Sequence, residues 1–458
     1  MTATSPTGFV PNARAVLVLG LPLVGSHVAQ FGLHVTDTIM LGWYSVTDLA
    51  AGALGATIFF VLFTLGSGFG QGVMPMVATA VASGNDTEVR RVTRMGIWLS
   101  MAYALLTLPV FMNSRLILAN MGQDPDVARI SGGYLALVGL GLGPALVVMV
   151  LKSYLAALGR TQVVLWVTVA AVFVNIGANW IFIFGNLGMP EMGARGAALA
   201  SVLVQVFTVV ALLVYAVWLP ALRRYQLLVR FWRPDWGALN QVTRLGLPIG
   251  VSMLAETALF GGSAVMIGWL GKLPLAAHSI ALEITAVFFM VHLGLSNAAT
   301  VLVGRAKGRG DLEGLRAAAR AAVILSIGFA LLTMVIYALF AESMVGAFIS
   351  PDEPERDAII PLGVSLLMVA AIFQLADGGQ AIAMGLLRGI HDTSRPMVIA
   401  TISYWLVGFP AAYGLGFVAE LGGVGVWLGL VVALTTAAVA LHARFWRAIR
   451  LPATPASR

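Results

Sequence analysis

Four carboxylic acids lie within long apolar stretches of this sequence, where ionised groups are rarely found. They are Asp37, Glu256, Glu283 and Asp377, while the other 16 of the 20 acidic residues fall in polar segments or at the ends of apolar ones. A carboxylate held away from water can bind a cation, or it can take up a proton because a neutral acid costs less to bury. These residue types therefore predict cation or proton binding.

The elements that must position these acids are apolar runs about as long as a membrane is thick. The chain of 458 residues is 59% hydrophobic and 10% charged, against about 25% charged in an average soluble protein. It contains no cysteine, which excludes disulfides and thiolate metal sites. Runs of roughly twenty apolar residues predict membrane-spanning helices. We expect twelve, near residues 16–41, 50–81, 93–112, 130–151, 163–185, 196–219, 243–270, 275–304, 318–340, 359–387, 396–418 and 423–446.

The distribution of basic residues predicts that both termini are cytoplasmic. With the N-terminus inside, 22 of the 27 Lys and Arg residues fall on the cytoplasmic side and five on the other. Such a bias sets the orientation of membrane helices. The net charge of +7 therefore reflects topology, and nucleic acid is not an expected partner.

The sequence contains an internal repeat. At an offset of 226 residues, positions 19–51 match positions 245–277 with 13 identities in 33. The same offset pairs Gly84 with Gly310 before the register drifts by a few residues. The repeat covers six predicted helices, an even number, so both halves enter the membrane in the same direction. The expected fold is an all-α membrane protein of about twelve helices, in two six-helix bundles related by a pseudo-two-fold axis along the membrane normal.

The repeat also predicts the domain organisation. Residues 1–219 form the N-terminal bundle, 220–244 a cytoplasmic linker, 245–446 the C-terminal bundle and 447–458 a cytoplasmic tail. Duplicated chains of twelve helices are mostly transporters that expose a site to each side of the membrane in turn. Alternating access is therefore the expected mode of action.

The four acids break the symmetry of this repeat. At the offset of 226 residues, Asp37 pairs with Ser263 and Glu256 pairs with Gln30. Packing alone would tend to keep the two halves alike. An acid that is present in just one half therefore suggests a functional role. No Lys or Arg falls in the interior of the predicted spans that carry these acids, and a structural ion pair is therefore not expected.

Glu256 and Asp377 form the first candidate site. Glu256 lies about 13 residues into its predicted helix, or about 20 Å along the axis, and Asp377 is expected at a similar depth. Two acids at one depth can bind a monovalent cation such as Na⁺, or they can share a proton. Glu283 is assigned to the same coupling-cation site as a partner.

Polar amides within the spans are further candidates. Asn175 and Asn179 are spaced i, i+4 and so share one helix face, which we expect to be directed into the N-terminal bundle with Asp37. The candidate polar residues of a cavity are Gln30, Gln374 and Gln380. The sequence shows no nucleophile–base or metal-ligand constellation, and an enzyme is not expected.

Several motifs, in their order and spacing, resemble the multidrug and toxic compound extrusion (MATE) family, in particular its bacterial NorM-like branch. They are Val35-Thr36-Asp37-Thr38-Ile39-Met40-Leu41-Gly42, the stretch 68–80 followed by Gly84-Asn85-Asp86, Ala255-Glu256-Thr257, Phe373-Gln374-Leu375-Ala376-Asp377 and Gly385-Leu386-Leu387-Arg388-Gly389. The resemblance spans nearly the whole chain.

The resemblance implies a monomeric antiporter of the bacterial inner membrane that exports lipophilic organic cations in exchange for inward Na⁺ or H⁺, without a cofactor. Glu256 and Asp377 would take the coupling cation, and Asp37 with Asn175 and Asn179 would bind a proton or substrate. Two departures leave the coupling ion open: Phe373 stands where a Tyr is common, and Glu283 is an extra acid of the kind that proton-coupled eukaryotic members carry.

Two other transporter classes also have about twelve membrane-spanning helices. A flippase of lipid-linked saccharides or other amphipathic lipids from the same superfamily shares the twelve-helix plan and is the alternative. Such proteins keep basic residues in their cavity for a diphosphate, and none is expected in the cavity here. A major-facilitator transporter would show a Gly-x-x-x-Asp-Arg type loop after the second helix, and the segment 83–88 does not match it.

Overall fold

Twelve long helices dominate a computed structural model of the protein, which describes residues 8–450. Within that range each predicted span overlaps one helix that is long and apolar enough to cross a membrane, and the all-α prediction is confirmed. The helices are α1 (Phe9–Tyr44), α2 (Val46–Ala82), α3 (Asp86–Met112), α4 (Pro125–Ala157), α5 (Thr161–Phe182), α6 (Ala194–Trp218), α7 (Trp236–Trp269), α8 (Lys272–Arg309), α9 (Leu312–Gly346), α10 (Arg356–Gly389), α11 (Ser394–Val418) and α12 (Gly422–Ala448). The protein is therefore a multi-pass membrane protein.

The turns after α2 and α8 are built alike, as the repeat predicts for them. Gly84 and Gly310 both adopt the left-handed conformation, with φ of 73° and 68°, which glycine reaches without steric cost. Each is followed by a residue whose side chain caps the next helix. Asn85 accepts a hydrogen bond from Glu88 N at 3.0 Å, and its counterpart Asp311 accepts one from Gly314 N at 2.8 Å.

The chain divides into two units whose boundaries fall inside continuous helices. Unit 1 comprises the chain up to Val24 and from Ser252 onwards, and unit 2 comprises Gly25–Val251. In unit 1, α10 packs against α8, α9 and α12, and in unit 2, α2 packs against α3 and α4. The domain boundaries drawn from the repeat stay a prediction, and residues 451–458 of the expected tail lie outside the described residues.

The helix α11 is not a regular α-helix over its whole length. It is α-helical to Ile402 and then forms two π-helical segments, Ser403–Gly408 and Gly414–Val418, on either side of a short α-helical stretch. Such wide turns are frequent at functional sites. The first of them carries Tyr404, whose surroundings are described below.

The linker between the repeats is shorter than the sequence predicts. Helix α7 begins at Trp236 rather than near residue 243, because Asp235 Oδ1 accepts a hydrogen bond from Ala238 N at 3.0 Å and so caps the helix. The first turns of α7 contain polar residues up to Arg244, so hydropathy alone places its start too late. Residues 236–244, predicted as linker, are therefore helical.

The remaining linker is fastened to α3 within unit 2. Arg91 binds both oxygens of Asp235, Nε to Oδ2 at 2.5 Å and Nη2 to Oδ1 at 3.0 Å. Arg94 Nη1 donates to the carbonyl oxygen of Arg230 at 2.7 Å. Trp98 Nε1 donates to the carbonyl oxygen of Phe231 at 3.0 Å. These contacts hold the linker against the N-terminal part of α3.

Replacing Asp235 with Asn should lower the free energy of unfolding by about 1 kcal/mol, since a well-formed but partly exposed ion pair contributes little more. The Arg91 guanidinium lowers the pKa of Asp235 to about 2. Its stabilisation is therefore complete above the ordinary Asp pKa of about 3.9 and is lost as the pH falls towards 2. Melting temperatures of the purified protein and the variant should differ at neutral pH and converge as the pH falls from about 4 towards 2. A difference that grows on acidification would contradict this, and Asp352→Asn, in an exposed turn, is the control.

Candidate functional site

In unit 1 the structure brings the half-buried Glu256 of α7 and the buried Asp377 of α10 into one group. Gln380, one turn after Asp377, donates a hydrogen bond from Nε2 to Glu256 Oε1 at 3.2 Å. The charges of the two acids interact with each other. Two of the predicted coupling-site acids and one predicted polar residue therefore lie together.

Asp377 has no hydrogen-bond partner for a buried carboxyl oxygen. Its side chain is 3% exposed, and Oδ1 is not satisfied by any group in the described part of the chain. Buried polar atoms are nearly always hydrogen-bonded, so such an exception needs an explanation. A carboxyl group in this state can be satisfied by a bound cation or can be held as the neutral acid.

Two residues near these acids were not predicted from the sequence. Tyr404, in the first π-helical segment of α11, is fully buried with no partner for its hydroxyl among the described residues, and it lies within electrostatic range of both acids. Arg388, near the end of α10, acts electrostatically on Glu256. The expectation that no basic residue lies in the helices of these acids is therefore wrong, because α10 extends to Gly389 and includes Arg388.

Glu283 is not joined to this group by any contact of its side chain. It is exposed, on a stripe of α8 with Leu275, Ser279 and Val287, and forms no hydrogen bond or ion pair within residues 8–450. Its assignment to the coupling-cation site stays a prediction.

Gln374 and Phe373 are packing residues of unit 1. Gln374 is fully buried, and its Nε2 donates to the carbonyl oxygen of Thr285 at 2.9 Å, which ties α10 to α8. Phe373 packs edge-to-face against Phe260 and Trp427, with ring centroids 6.0 Å and 5.4 Å apart. An apolar ring therefore lies one turn before Asp377.

In unit 2, Asp37 is held by two amides from α5. Asp37 Oδ1 accepts hydrogen bonds from Asn175 Nδ2 at 3.0 Å and Asn179 Nδ2 at 2.6 Å. Both asparagines are buried, and the i, i+4 spacing places them on the same face. Ser201 of α6, which was not predicted, donates from Oγ to Asp37 Oδ2 at 3.4 Å. The carboxylate is therefore oriented by three donors and remains half-buried.

Gln30 lies elsewhere in unit 2, beside a lysine. Lys152 Nζ donates to Gln30 Oε1 at 3.2 Å, and both residues line a cavity of about 30 Å³. The sequence predicted a loop at Lys152, but α4 extends to Ala157. A basic residue thus lines a cavity of unit 2, contrary to the expectation that the cavity contains none.

The sequence matches a family model over most of its length. The model described as MatE covers residues 22–181 and 248–414, one stretch from each half of the chain. This chain belongs to the MATE family. The first stretch contains Asp37, Asn175 and Asn179, and the second contains Glu256 and Asp377. The acids of both polar groups of this MATE protein therefore fall within the stretches that the family model describes, whereas Ser201 lies between those stretches.

Relatives of the MATE chain match it over nearly its whole length. A protein of Agrobacterium fabrum named "Probable multidrug resistance protein NorM" is 43% identical over 445 residues, which are 96% of each chain. A protein of the same name from Rhizobium meliloti is 41% identical over 456 residues, 99% of this chain and 98% of the relative.

Solved structures with the same fold are similar in shape and more distant in sequence. The eukaryotic MATE transporter AtDTX14 superposes with a TM-score of 0.85 at 18% identity, over 96% of this chain and 98% of the other. A MATE transporter in the outward-facing conformation superposes with a TM-score of 0.85 at 22% identity, over 96% of both chains. These likenesses show the fold.

Proposed function

We propose that the protein is a multidrug antiporter, which exports lipophilic organic cations and takes up Na⁺ or H⁺ in exchange, by rocker-switch alternating access. The observation that carries this proposal is the buried Asp377 carboxyl oxygen without a partner, close to Glu256. The relatives named multidrug resistance proteins support the drug-export part of the proposal.

The coupling step is assigned to unit 1. A cation or proton that arrives from outside satisfies Asp377 and Glu256, and Gln380 holds the Glu256 carboxylate in place. One positive charge that moves inward gains about 2.3 kcal/mol per 100 mV of membrane potential. Two carboxylates can bind Na⁺ as well as a proton. Phe373 has no hydroxyl group that could serve as a further ligand of Na⁺, so the experiment below tests both ions.

The substrate or proton step of unit 2 is assigned to Asp37. Asn175, Asn179 and Ser201 hold its carboxylate in one orientation, which leaves it ready to bind a positive group. Preorganised polar groups bind charge more strongly than groups that must first be ordered. The rest of the binding energy for a lipophilic cation comes from apolar contact.

We place the protein in the bacterial inner membrane, as a monomer with both termini cytoplasmic. The excess of basic residues on one side of the twelve helices supports the orientation. Its partners are small cationic substrates and membrane lipid.

The proposal is tested in liposomes that contain the purified full-length protein. Uptake of a lipophilic cationic dye is measured by fluorescence with a Na⁺ gradient alone, with a pH gradient alone and with neither. We expect dye movement with one imposed gradient and in the opposite direction to the ion. A rate of dye movement that is the same with and without each gradient would contradict antiport. The absence of dye movement with a folded protein would contradict drug export.

The flippase of amphipathic lipids stays the alternative. Lys152 removes the argument that the cavity lacks basic residues, but the names of the relatives do not favour this function. The same liposomes discriminate the two functions, since a flippase would move a fluorescent lipid between leaflets and leave the dye outside.

A further inference from the structure

Lys152 is a positive charge inside unit 2 that the cation-export mechanism does not use. It lies five residues before the end of α4 at Ala157, or about 7.5 Å along the axis. Lysines within membrane-spanning helices are costly and mark functional pathways. For the export of cations alone this charge is a disadvantage, because it repels the substrate.

Lys152 is only partly satisfied by its neighbours. Its ammonium group has three donors, and one of them is used by Gln30 Oε1 at 3.2 Å. The ion pairs formed by residues 8–450 do not include Lys152. At least one charged donor is therefore free to bind an acceptor that the protein does not supply.

The cavity beside Lys152 contains a second free donor. Gln205 of α6 lines the same cavity and forms no hydrogen bond with any other described residue. The hydroxyls of Thr168 and Thr208, also in the lining, donate to the carbonyl oxygens of Val164 and Val204 at 2.7 Å each. What the cavity can still offer is an ammonium group and a primary amide, and their natural ligand is an anion.

The size of the cavity limits what can bind there. Its volume is about 30 Å³, whereas pockets for a complete drug-sized ligand measure about 300–1,000 Å³. It therefore accommodates a small anionic group and not a whole substrate.

We propose that Lys152, with Gln205, forms a subsite for an anionic group, either the carboxylate of a zwitterionic substrate or a free small anion such as chloride. The inference deepens the proposed function, because it assigns a second charge to the substrates of unit 2. Gln30 precedes Asp37 by seven residues on α1, a rise of about 10 Å. A substrate with a cationic and an anionic end at about that separation can reach both groups.

The test compares two dyes that differ by one negative charge. A rhodamine with a free carboxylate and the methyl ester of the same dye are bound to the purified full-length protein, and affinity is measured by fluorescence polarisation. Lys152→Met should weaken binding of the free acid by about tenfold to a hundredfold relative to the ester, which is the loss of one charge-assisted hydrogen bond. Lys152→Arg should retain the ratio of the wild type, and Arg160→Met, in the exposed turn after α4, should not change it.

Chloride identifies the source of the anion. If a free anion occupies the subsite, replacing chloride with gluconate should change binding of the ester to the wild type and not to Lys152→Met. If the substrate carboxylate occupies it, the exchange should leave ester binding unchanged and only the free acid should depend on Lys152. An acid-to-ester ratio and a chloride response that are the same in the wild type and Lys152→Met would overturn the proposal. Binding is measured without transport, so a failure of dye export in liposomes would affect the proposed function alone.

Discussion

Replacing Asp377 with Asn should abolish coupled export while the protein still folds and inserts. Asparagine keeps the size of the side chain but can neither bind a cation by charge nor exchange a proton. We expect ion-driven dye uptake in liposomes to fall by about a hundredfold or more, as for the loss of a buried charged contact. Stability should stay the same or rise, because Asp377 Oδ1 has no hydrogen-bond partner that the substitution could break.

Transport should fall while stability stays the same or rises, and this combination distinguishes a functional role of Asp377 from a structural one. A residue needed only for packing would lose stability together with transport. The matched control is Asp357→Asn, at the exposed first turn of the same helix, which should change neither quantity. Undiminished ion-driven uptake by Asp377→Asn would contradict the coupling role, and a large fall in melting temperature would favour a structural one.

Long-range periodicity made the helices and the repeat predictable from the sequence. Runs of apolar residues mark spans whatever their neighbours are, and the equivalent turns at Gly84 and Gly310 follow from two copies of one local pattern. The spacing of Asn175 and Asn179 was enough to place them on one face, since i and i+4 positions of a helix always lie together.

The ends of the helices were predicted less accurately than their existence. These errors determined which basic residues were assigned to loops. Hydropathy places the end of a helix where polar residues begin, yet the helices continue beyond that point. Lys152 and Arg388 were assigned to loops for this reason, although α4 extends to Ala157 and α10 to Gly389. A helix can carry a basic side chain near its end because the long stem lets the charge reach a polar neighbour.

The exposed face of α8 and the π-helical turn of α11 could not be predicted either. Helix α8 is apolar on most sides, so the sequence does not distinguish the face that carries Glu283 from the face packed in unit 1. Nothing local to Tyr404 signals a π-helical segment, because such a turn is the response of a helix to its packing. Both features depend on contacts between distant parts of the chain.

Replacing Asp37 with Asn should weaken substrate binding and leave ion coupling in place. The new amide oxygen can still accept hydrogen bonds from Asn175 and Asn179, so the local geometry of unit 2 should be retained. The negative charge is lost, and we expect affinity for a permanently charged cationic dye to fall by about tenfold to a hundredfold. Fluorescence polarisation of the dye with the purified variant measures this directly.

The comparison with Asp377→Asn makes the division of labour testable. If unit 2 binds the substrate and unit 1 the coupling ion, dye transport that remains in Asp37→Asn should respond to the Na⁺ or pH gradient as in the wild type. Asp377→Asn should bind the dye normally and lose that response. Asp126→Asn, an exposed acid of unit 2, should behave as the wild type in both measurements. Normal dye binding by Asp37→Asn with a lost ion response would instead assign the coupling proton to unit 2, because a charge needed only for the ion leaves substrate affinity unchanged.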